Sequence, residues 1–148
     1  MGADLYIKDM DRKKQYTGFE VSDKARKNGY FRDCYNDAGL FSVLSANTGK
    51  DLSWWEIDRR DDLFNGEIER NMTVEGAKIL RAELEPIIKK FLELDKICCS
   101  RYELESHRYE KGREVDDSEI NEYKEWAQGL LDFLDLAISK KSEIIFSI

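Results

Sequence analysis

The chain has 148 residues, which is enough for one domain of ordinary size and too few for two. Acidic residues number 31 and basic residues 24, so the formal net charge is −7, and aromatic residues make up 11% of the chain. This composition is too aromatic for a disordered acidic tail and too polar for a membrane protein. We therefore predict a single folded domain over residues 1–148.

Several sequence features predict where the protein resides. No stretch approaches the roughly 18 apolar residues that cross a membrane, and the opening MGADLYIKDMDRKK lacks the apolar segment of a secretion signal. The cysteines Cys34, Cys98 and Cys99 are odd in number, and adjacent cysteines rarely form a disulfide with each other. Reduced thiols are typical of the cytoplasm. We predict a soluble cytoplasmic protein with no membrane association.

The charge balance bears on the class of partner. A net charge of −7 repels phosphate backbones unless the basic residues gather on one face. The densest basic runs, at residues 12–14 and 24–27, are short and have acidic neighbours. We predict no direct binding of nucleic acid and a protein partner with a basic surface.

The first 29 residues predict one strand and a turn. Residues 3–7 alternate enough to form a short strand with Leu5 and Ile7 on one face. Residues 16–21 contain spaced aromatic and apolar side chains and predict a weaker extended segment. The Asn-Gly pair at residues 28–29 is typical of a turn.

The next segment is rich in aromatic residues, which concentrate between positions 30 and 57. Asn36 or Asp37 is expected to cap a short helix that ends near Gly49. Residues 58–71 are charged and contain an Asn-Gly pair, which predicts a loop or a short hairpin.

The second half carries stronger helical periodicity. Thr73 is expected to cap a long helix, and Pro86 within it predicts either a kink or the start of a new helix. The highly charged residues 103–117 are expected to form a solvated connection. Asp116 and Glu119 have the spacing of a capping box at the start of the last helix.

The end of the chain completes the predicted fold. Apolar residues recur at helical spacing over 120–138, and the β-prone residues 144–148 follow. We expect this final strand to dock beside the strand at residues 3–7. The predicted fold class is α+β, with two long amphipathic helices packed on a small sheet that includes the N-terminal and C-terminal strands.

The residues that usually carry catalysis are sparse. His107 lies in a charged stretch and is expected to be an exposed imidazole, and a Cys34 nucleophile has no histidine near it in sequence. Zinc needs about four tightly spaced ligands, which the chain lacks. Asp58, Asp61 and Asp62 are the best candidates for a carboxylate metal site, although such groups arise by chance among 31 acidic residues. We predict no catalytic residues, no cofactor and no metal.

The segment GYFRDCYND at residues 29–37 is the most unusual feature of the chain. Its rings alternate with an arginine and with amide or carboxylate side chains, a chemistry that is typical of binding sites and interface hot spots. The candidate binding residues here are Tyr30, Arg32, Asp33, Tyr35 and Asn36. The alternative is structural: the rings fill the core, and Arg32 and Asp33 pair with each other to hold a loop in place.

Trp54 and Trp55 extend this candidate site. Neighbouring residues of a strand face opposite sides, so two adjacent tryptophans in a strand cannot both point inward. We expect one of them to be exposed and to mark a contact surface.

The opening MGADLYI, the motif GYFRD followed by YND, and the later SWW resemble a group of small uncharacterised proteins encoded by bacteria, phages and prophages. The resemblance covers the first third to half of the chain. Cys34 stands where the group is expected to have proline, which implies a less rigid loop. The group has no established activity, so the resemblance implies a genomic setting and, by analogy, an inhibitor or accessory protein.

Three functional hypotheses follow from the sequence. The first is a non-enzymatic acidic protein-binding module that acts as an inhibitor or accessory protein. The second is a small-ligand-binding protein or enzyme, in which Arg32 holds an anionic group and Asp33 or Asn36 orients it. The third is an immunity-type protein that neutralises a basic toxin. The oligomeric state stays open.

Overall fold

The computed structural model describes residues 2–65 and 70–148. The helices in these residues are α1 Arg12–Gln15, α2 Asp23–Lys27, α3 Leu40–Thr48, α4 Trp54–Asp58, α5 Val74–Leu92 and α6 Asp117–Ser139. The strands are β1 Gly2–Ile7, β2 Tyr30–Cys34, β3 Phe64–Asn65, β4 Asn71–Met72, β5 Cys98–Glu103, β6 Arg108–Glu114 and β7 Ile144–Ser147.

Five strands form one antiparallel sheet in the order β2-β1-β7-β4-β3. Strand β1 pairs with β2 on one side and with β7 on the other, so that Leu5 lies opposite both Phe31 and Phe146. The predicted α+β class is therefore confirmed, and so is the prediction that the first and last strands share a sheet. Strands β5 and β6 form a separate antiparallel hairpin.

The long helices α5 and α6 pack against each other and supply much of the main core. The ring of Phe133 on α6 lies 5.9 Å from that of Phe31 on β2, centroid to centroid. Helix α5 runs through Pro86 without interruption. Pro86 has no N–H to donate to the carbonyl of Ala82, and the helix tolerates this loss because both residues lie on its exposed side. No helix among the described residues is both long and apolar enough to span a membrane.

The predicted caps of both long helices are present. Thr73 accepts a hydrogen bond from the amide of Gly76 at 2.8 Å, and Asp116 accepts one from the amide of Glu119 at 2.8 Å. The side chain of Glu119 pairs instead with Arg113, at 3.4 Å. The cap at Asp116 is thus linked to the end of strand β6.

Three local predictions are wrong. Residues 16–21 form no strand and connect the short helices α1 and α2 through turns. Residues 103–117 include most of the β5–β6 hairpin rather than a solvated connection, because their charged side chains face solvent while the backbone pairs. Helix α3 begins at Leu40, and the residue at its N-cap position is Gly39 rather than Asn36 or Asp37. The side chain of Asp33 on β2 supplies the hydrogen bond expected from a cap.

The short strands β3 and β4 pair antiparallel through Phe64 and Met72 and through Asn65 and Asn71, in line with the predicted hairpin. The glycine of the Asn-Gly pair, Gly66, lies outside the described residues. The other predicted turn is present, since Gly29 adopts a φ of 85°, a left-handed conformation that favours glycine.

The two faces of β1 and β2 have different surroundings. Leu5, Ile7 and Phe31 point into the main core under the long helices. Tyr6 and Tyr30 point to the opposite face, where they form a smaller cluster with Ala25 of α2. This division of β2 between two faces decides how the candidate site is arranged.

Candidate functional site

Strand β2 separates the candidate residues that the sequence places side by side. Because neighbouring side chains of a strand point to opposite faces, Arg32 lies on the same face as Tyr30, and Asp33 points into the core. Arg32 Nη1 lies 2.8 Å from Oδ1 of Asp4 on the neighbouring strand. The Arg32–Asp33 pair of the structural alternative is therefore wrong, because the two side chains lie on opposite faces of β2.

Tyr30 contributes to the structure of the outer face. Its side chain is 1% exposed and stacks on Tyr6, with ring centroids 4.9 Å apart and planes within 7°. Its hydroxyl donates to the carboxylate of Asp4. Burial, together with this hydrogen bond, raises the pKa of Tyr30 to about 12. A buried phenol of this kind fixes the position of β2 and offers no surface to a partner.

Asp33 joins β2 to two helices. Its fully buried carboxylate accepts hydrogen bonds from the backbone amides of Cys34, Leu40 and Phe41 at 2.8, 2.7 and 3.1 Å. It also accepts one from the indole Nε1 of Trp54 at 2.8 Å. Burial raises the pKa of Asp33, and these four donors oppose part of the rise. Asp33 thus caps α3 from a distance and is a structural residue.

The two adjacent tryptophans have opposite environments. Trp54 is 2% exposed and stacks on Phe41, with ring centroids 3.9 Å apart. Trp55 is 47% exposed, and its ring lies 5.5 Å from that of Tyr35. The prediction that one of the pair is exposed is confirmed, although both belong to helix α4, where consecutive side chains point about 100° apart.

Tyr35 and Trp55 line a small cleft of about 150 Å³. The hydroxyl of Tyr35 is buried and has no hydrogen-bond partner among the described residues. Burial raises the pKa of Tyr35 to about 12. Asn36 does not line this cleft: its Oδ1 accepts hydrogen bonds from the amide of Ala38 and from Sγ of Cys34, which shapes the turn before α3.

The β5–β6 hairpin extends the cleft into a larger surface. Tyr109 lines the cleft, and its hydroxyl lies 3.5 Å from the carbonyl oxygen of Tyr35. Tyr102, directly opposite Tyr109 in the hairpin, is half exposed and contacts it edge to face at 5.3 Å. We call Tyr35, Trp55, Tyr102 and Tyr109 the aromatic face. The last two were missed from sequence because the hairpin itself was not predicted.

Comparison of the chain with protein-family models, with curated proteins and with solved structures finds no match. The resemblance to the bacterial, phage and prophage group therefore stays a prediction.

The cysteine and histidine considered for catalysis have separate partners. Cys34 donates its thiol to Asn36 at 3.3 Å, and burial, with the nearby charge of Asp33, raises the pKa of the thiol. His107 lies at the tip of the hairpin, with its Nδ1 3.4 Å from the hydroxyl of Tyr102. A raised thiol pKa disfavours the thiolate that a nucleophilic cysteine needs.

The acidic residues considered for a metal lie against cations. Asp62 pairs with Arg60 at 2.7 Å, and Asp61 lies 3.4 Å from Arg70. Within the part of the chain that the structure describes, no group of three or more histidine, cysteine, aspartate or glutamate side chains is arranged to hold a metal ion. The carboxylates of Asp61 and Asp62 form ion pairs instead, and Asp58 accepts a hydrogen bond from Arg70 through its backbone carbonyl at 3.0 Å.

Proposed function

We propose that this chain is a non-enzymatic protein-binding module, an inhibitor or accessory protein, that contacts its partner through the aromatic face. The observation that carries this proposal is Trp55, 47% exposed beside Tyr35 at the rim of a cleft. Tryptophan and tyrosine dominate interface hot spots because they bury a large area and still present a polar group.

The framework behind this face supports the proposal. Asp33 bonds both to the start of α3 and to Trp54, the residue that precedes Trp55. This arrangement fixes the backbone from which Trp55 projects, so little conformational entropy is lost when a partner covers the ring. The aromatic face is in this sense preorganised for contact.

The charge of the chain favours a partner with a basic surface. A net charge of −7 attracts such a surface over several ångströms and speeds association more than it deepens affinity. Added salt screens this attraction. We therefore expect the complex to form more slowly, and to be recovered less completely, as the salt concentration rises.

The test is capture of a partner by the tagged protein from a bacterial lysate at low and moderate salt, read by mass spectrometry. Trp55→Ala removes the exposed ring, and Ile79→Ala on α5 is a matched control because Ile79 is exposed and lies outside the aromatic face. Trp54 stays unchanged because it belongs to the core.

We expect one stoichiometric protein to be retained by the wild type and by Ile79→Ala and to be lost from Trp55→Ala. Equal retention by Trp55→Ala would remove the aromatic face from the proposal, and no partner at either salt concentration would count against the module itself. A basic toxin as the captured protein would select the immunity-type form of the hypothesis.

A second candidate function, binding of a small ligand, is favoured by the cleft, whose lining includes Tyr35, a residue whose buried hydroxyl has no hydrogen-bond partner within residues 2–65 and 70–148. A volume of about 150 Å³ is below the roughly 300–1,000 Å³ of typical ligand pockets, so the ligand would be small. A fragment screen by NMR tests this function. A specific ligand shifts the resonances of Trp55 and loses affinity in Tyr35→Phe, whereas the absence of any hit contradicts it.

A further inference from the structure

A second, larger cavity of about 390 Å³ lies between the segment leading into α2 and the first half of α6. Residues 21–26 form one side and residues 119–126 the other. We call it the α2–α6 groove. It shares no residue with the aromatic face, so whatever it binds can be tested independently.

Two aromatic side chains of α6 form the wall of the groove, and both are held by hydrogen bonds. Tyr123 donates its hydroxyl to the carbonyl of Ala38 at 2.8 Å, and Trp126 donates its indole N–H to the carbonyl of Arg32 at 3.1 Å. The rings lie 6.2 Å apart with planes inclined by 24°. Side chains that are already fixed lose little freedom when they contact a ligand.

The opposite side of the groove exposes apolar side chains. Val21 lines the groove and is 49% exposed, and Phe19, two residues earlier, is 76% exposed. Isolated apolar residues are common on protein surfaces, but Val21 lies in the wall of the groove, and the carbonyl of Phe19 accepts a hydrogen bond from the amide of the groove-lining Ser22 at 2.9 Å. The two side chains offer apolar area that a partner can bury. We therefore expect an occupant of the groove to place an apolar group against Phe19 and Val21.

The groove carries an excess of negative charge. Four carboxylates and one guanidinium line it. Three of these carboxylates each lie within 4.0 Å of a cation: Asp23 of Lys27, Glu119 of Arg113 and Glu125 of Arg26. Glu122 has no such cation partner among the described residues. Four carboxylates against three cations leave one uncompensated negative charge at the groove.

The guanidinium of Arg26 is committed to the protein. Its side chain is 5% exposed, and its Nη1 donates to the carbonyl of Val21 at 2.6 Å. The side chain crosses α6 at Gly129, where a Cβ atom would lie 2.0 Å from Nε of Arg26. Arg26 therefore forms part of the wall, and Glu122 is the carboxylate left for an external cation.

We propose that the α2–α6 groove binds a basic amphipathic segment of a partner protein. An apolar side chain of the segment packs against Phe19 and Val21, and a lysine or arginine places its stem along Trp126 and its charge at Glu122. Cations are attracted both by carboxylates and by the faces of aromatic rings. The identity of the occupant as a protein segment rests on the proposed function, and the location of the site does not.

The test uses synthetic helical peptides of lysine and leucine, with glutamate–leucine peptides of the same pattern and a lysine-only peptide as comparisons. Binding is measured by calorimetry, and the indole N–H resonance of Trp126 is followed by NMR. We expect the lysine–leucine peptide to bind best, to shift the Trp126 signal and to weaken as salt is added. The glutamate–leucine peptide is not expected to bind.

Surface variants locate the site. Glu122→Gln is expected to weaken the lysine–leucine peptide about three- to fivefold, the range of an exposed charge or cation–π contact. Phe19→Ala is expected to weaken it by a similar factor. Glu110→Gln on β6 is the matched control, since it changes the net charge equally at an exposed position outside the groove. Its effect should stay below twofold.

Equal weakening by Glu122→Gln and Glu110→Gln would overturn the inference, as would tight binding without any shift of the Trp126 signal. Trp55→Ala separates the two proposals. Unchanged peptide binding in Trp55→Ala, together with weaker binding in Glu122→Gln and Phe19→Ala, places the peptide in the groove whether or not the aromatic face binds a partner. Loss of peptide binding in Trp55→Ala, with Glu122→Gln unaffected, assigns the peptide to the aromatic face and removes the groove.

Discussion

Trp54 and Trp55 are adjacent in the chain and belong to two different regions of the molecule. Trp54 lies in a buried junction where it stacks on Phe41 and donates to Asp33, whereas Trp55 stands at the surface beside Tyr35. At the junction, the polar groups of Trp54 and Asp33 form a hydrogen bond with each other, whereas at the surface the ring of Trp55 is half exposed. The pair Trp54-Trp55 therefore supplies both a buried residue that holds α4 in place and an exposed residue of the aromatic face.

The largest expected effect is on the junction itself. Trp54→Ala removes a buried ring and leaves Asp33 with one donor fewer, so we expect it to lower the free energy of unfolding by about 3–5 kcal/mol. Urea denaturation followed by circular dichroism measures the change. A loss below about 1 kcal/mol would show that α4 does not depend on this ring.

The next effect concerns the carboxylate of Asp33. Each of its oxygens accepts two N–H groups, so an asparagine at this position places an NH₂ group against two donors. We expect Asp33→Asn to lower the free energy of unfolding by about 2–4 kcal/mol. Asn36→Ala is the comparison, since Asn36 is one of the two caps, with Asp37, that the sequence predicts. A smaller loss in Asp33→Asn than in Asn36→Ala would contradict the assignment of Asp33 as the cap of α3.

The outcome for Asp33 shows what could be predicted from sequence and what could not. The α+β class, the terminal strands and the caps at Thr73 and Asp116 follow from local patterns, and each is present. The cap of α3 comes from a residue seven positions before Leu40 and on another element, so no spacing rule identifies it. Local patterns report local hydrogen bonds and not those that the tertiary fold creates.

The candidate site shows the same limit. The sequence placed Tyr30, Arg32 and Asp33 in one cluster, but the alternation of β2 divides them between two faces. A strand prediction for residues 30–34 would have revealed this division. Tyr102 and Tyr109 lie next to each other in the aromatic face because the register of the β5–β6 hairpin places them opposite each other. The many charged residues of this segment predict a solvated connection instead of a hairpin.

A smaller effect distinguishes the two buried phenols. Tyr30→Phe loses the hydrogen bond to Asp4 and is expected to cost about 1 kcal/mol at neutral pH. Tyr35→Phe loses no hydrogen bond to the described part of the chain and is expected to cost nothing. Denaturation of both variants at neutral pH measures this difference. Equal costs would show that the bond to Asp4 contributes nothing to stability.

The same two phenols predict how stability depends on alkaline pH. The pKa of each is raised from 10.0 to about 12 in the folded protein, because burial disfavours the phenolate. The unfolded chain therefore loses these protons first, and the stabilisation present below pH 10 is lost as the pH rises towards 12. Either Phe variant should flatten this part of the stability curve. A slope identical to that of the wild type would contradict the raised pKa.

The smallest expected effect on stability belongs to Trp55. Because its ring is half exposed and lies 5.5 Å from that of Tyr35, Trp55→Ala should change the free energy of unfolding by only about 0.5 kcal/mol, a tenth of the largest loss expected at Trp54. Parallel denaturation of the two variants measures the ratio. Losses of similar size would mean that Trp55 is structural too, and the aromatic face would lose its central residue. A much smaller loss in Trp55→Ala than in Trp54→Ala would show that the fold does not need the exposed ring of Trp55. Its exposure would then be explained by contact with a partner rather than by stability.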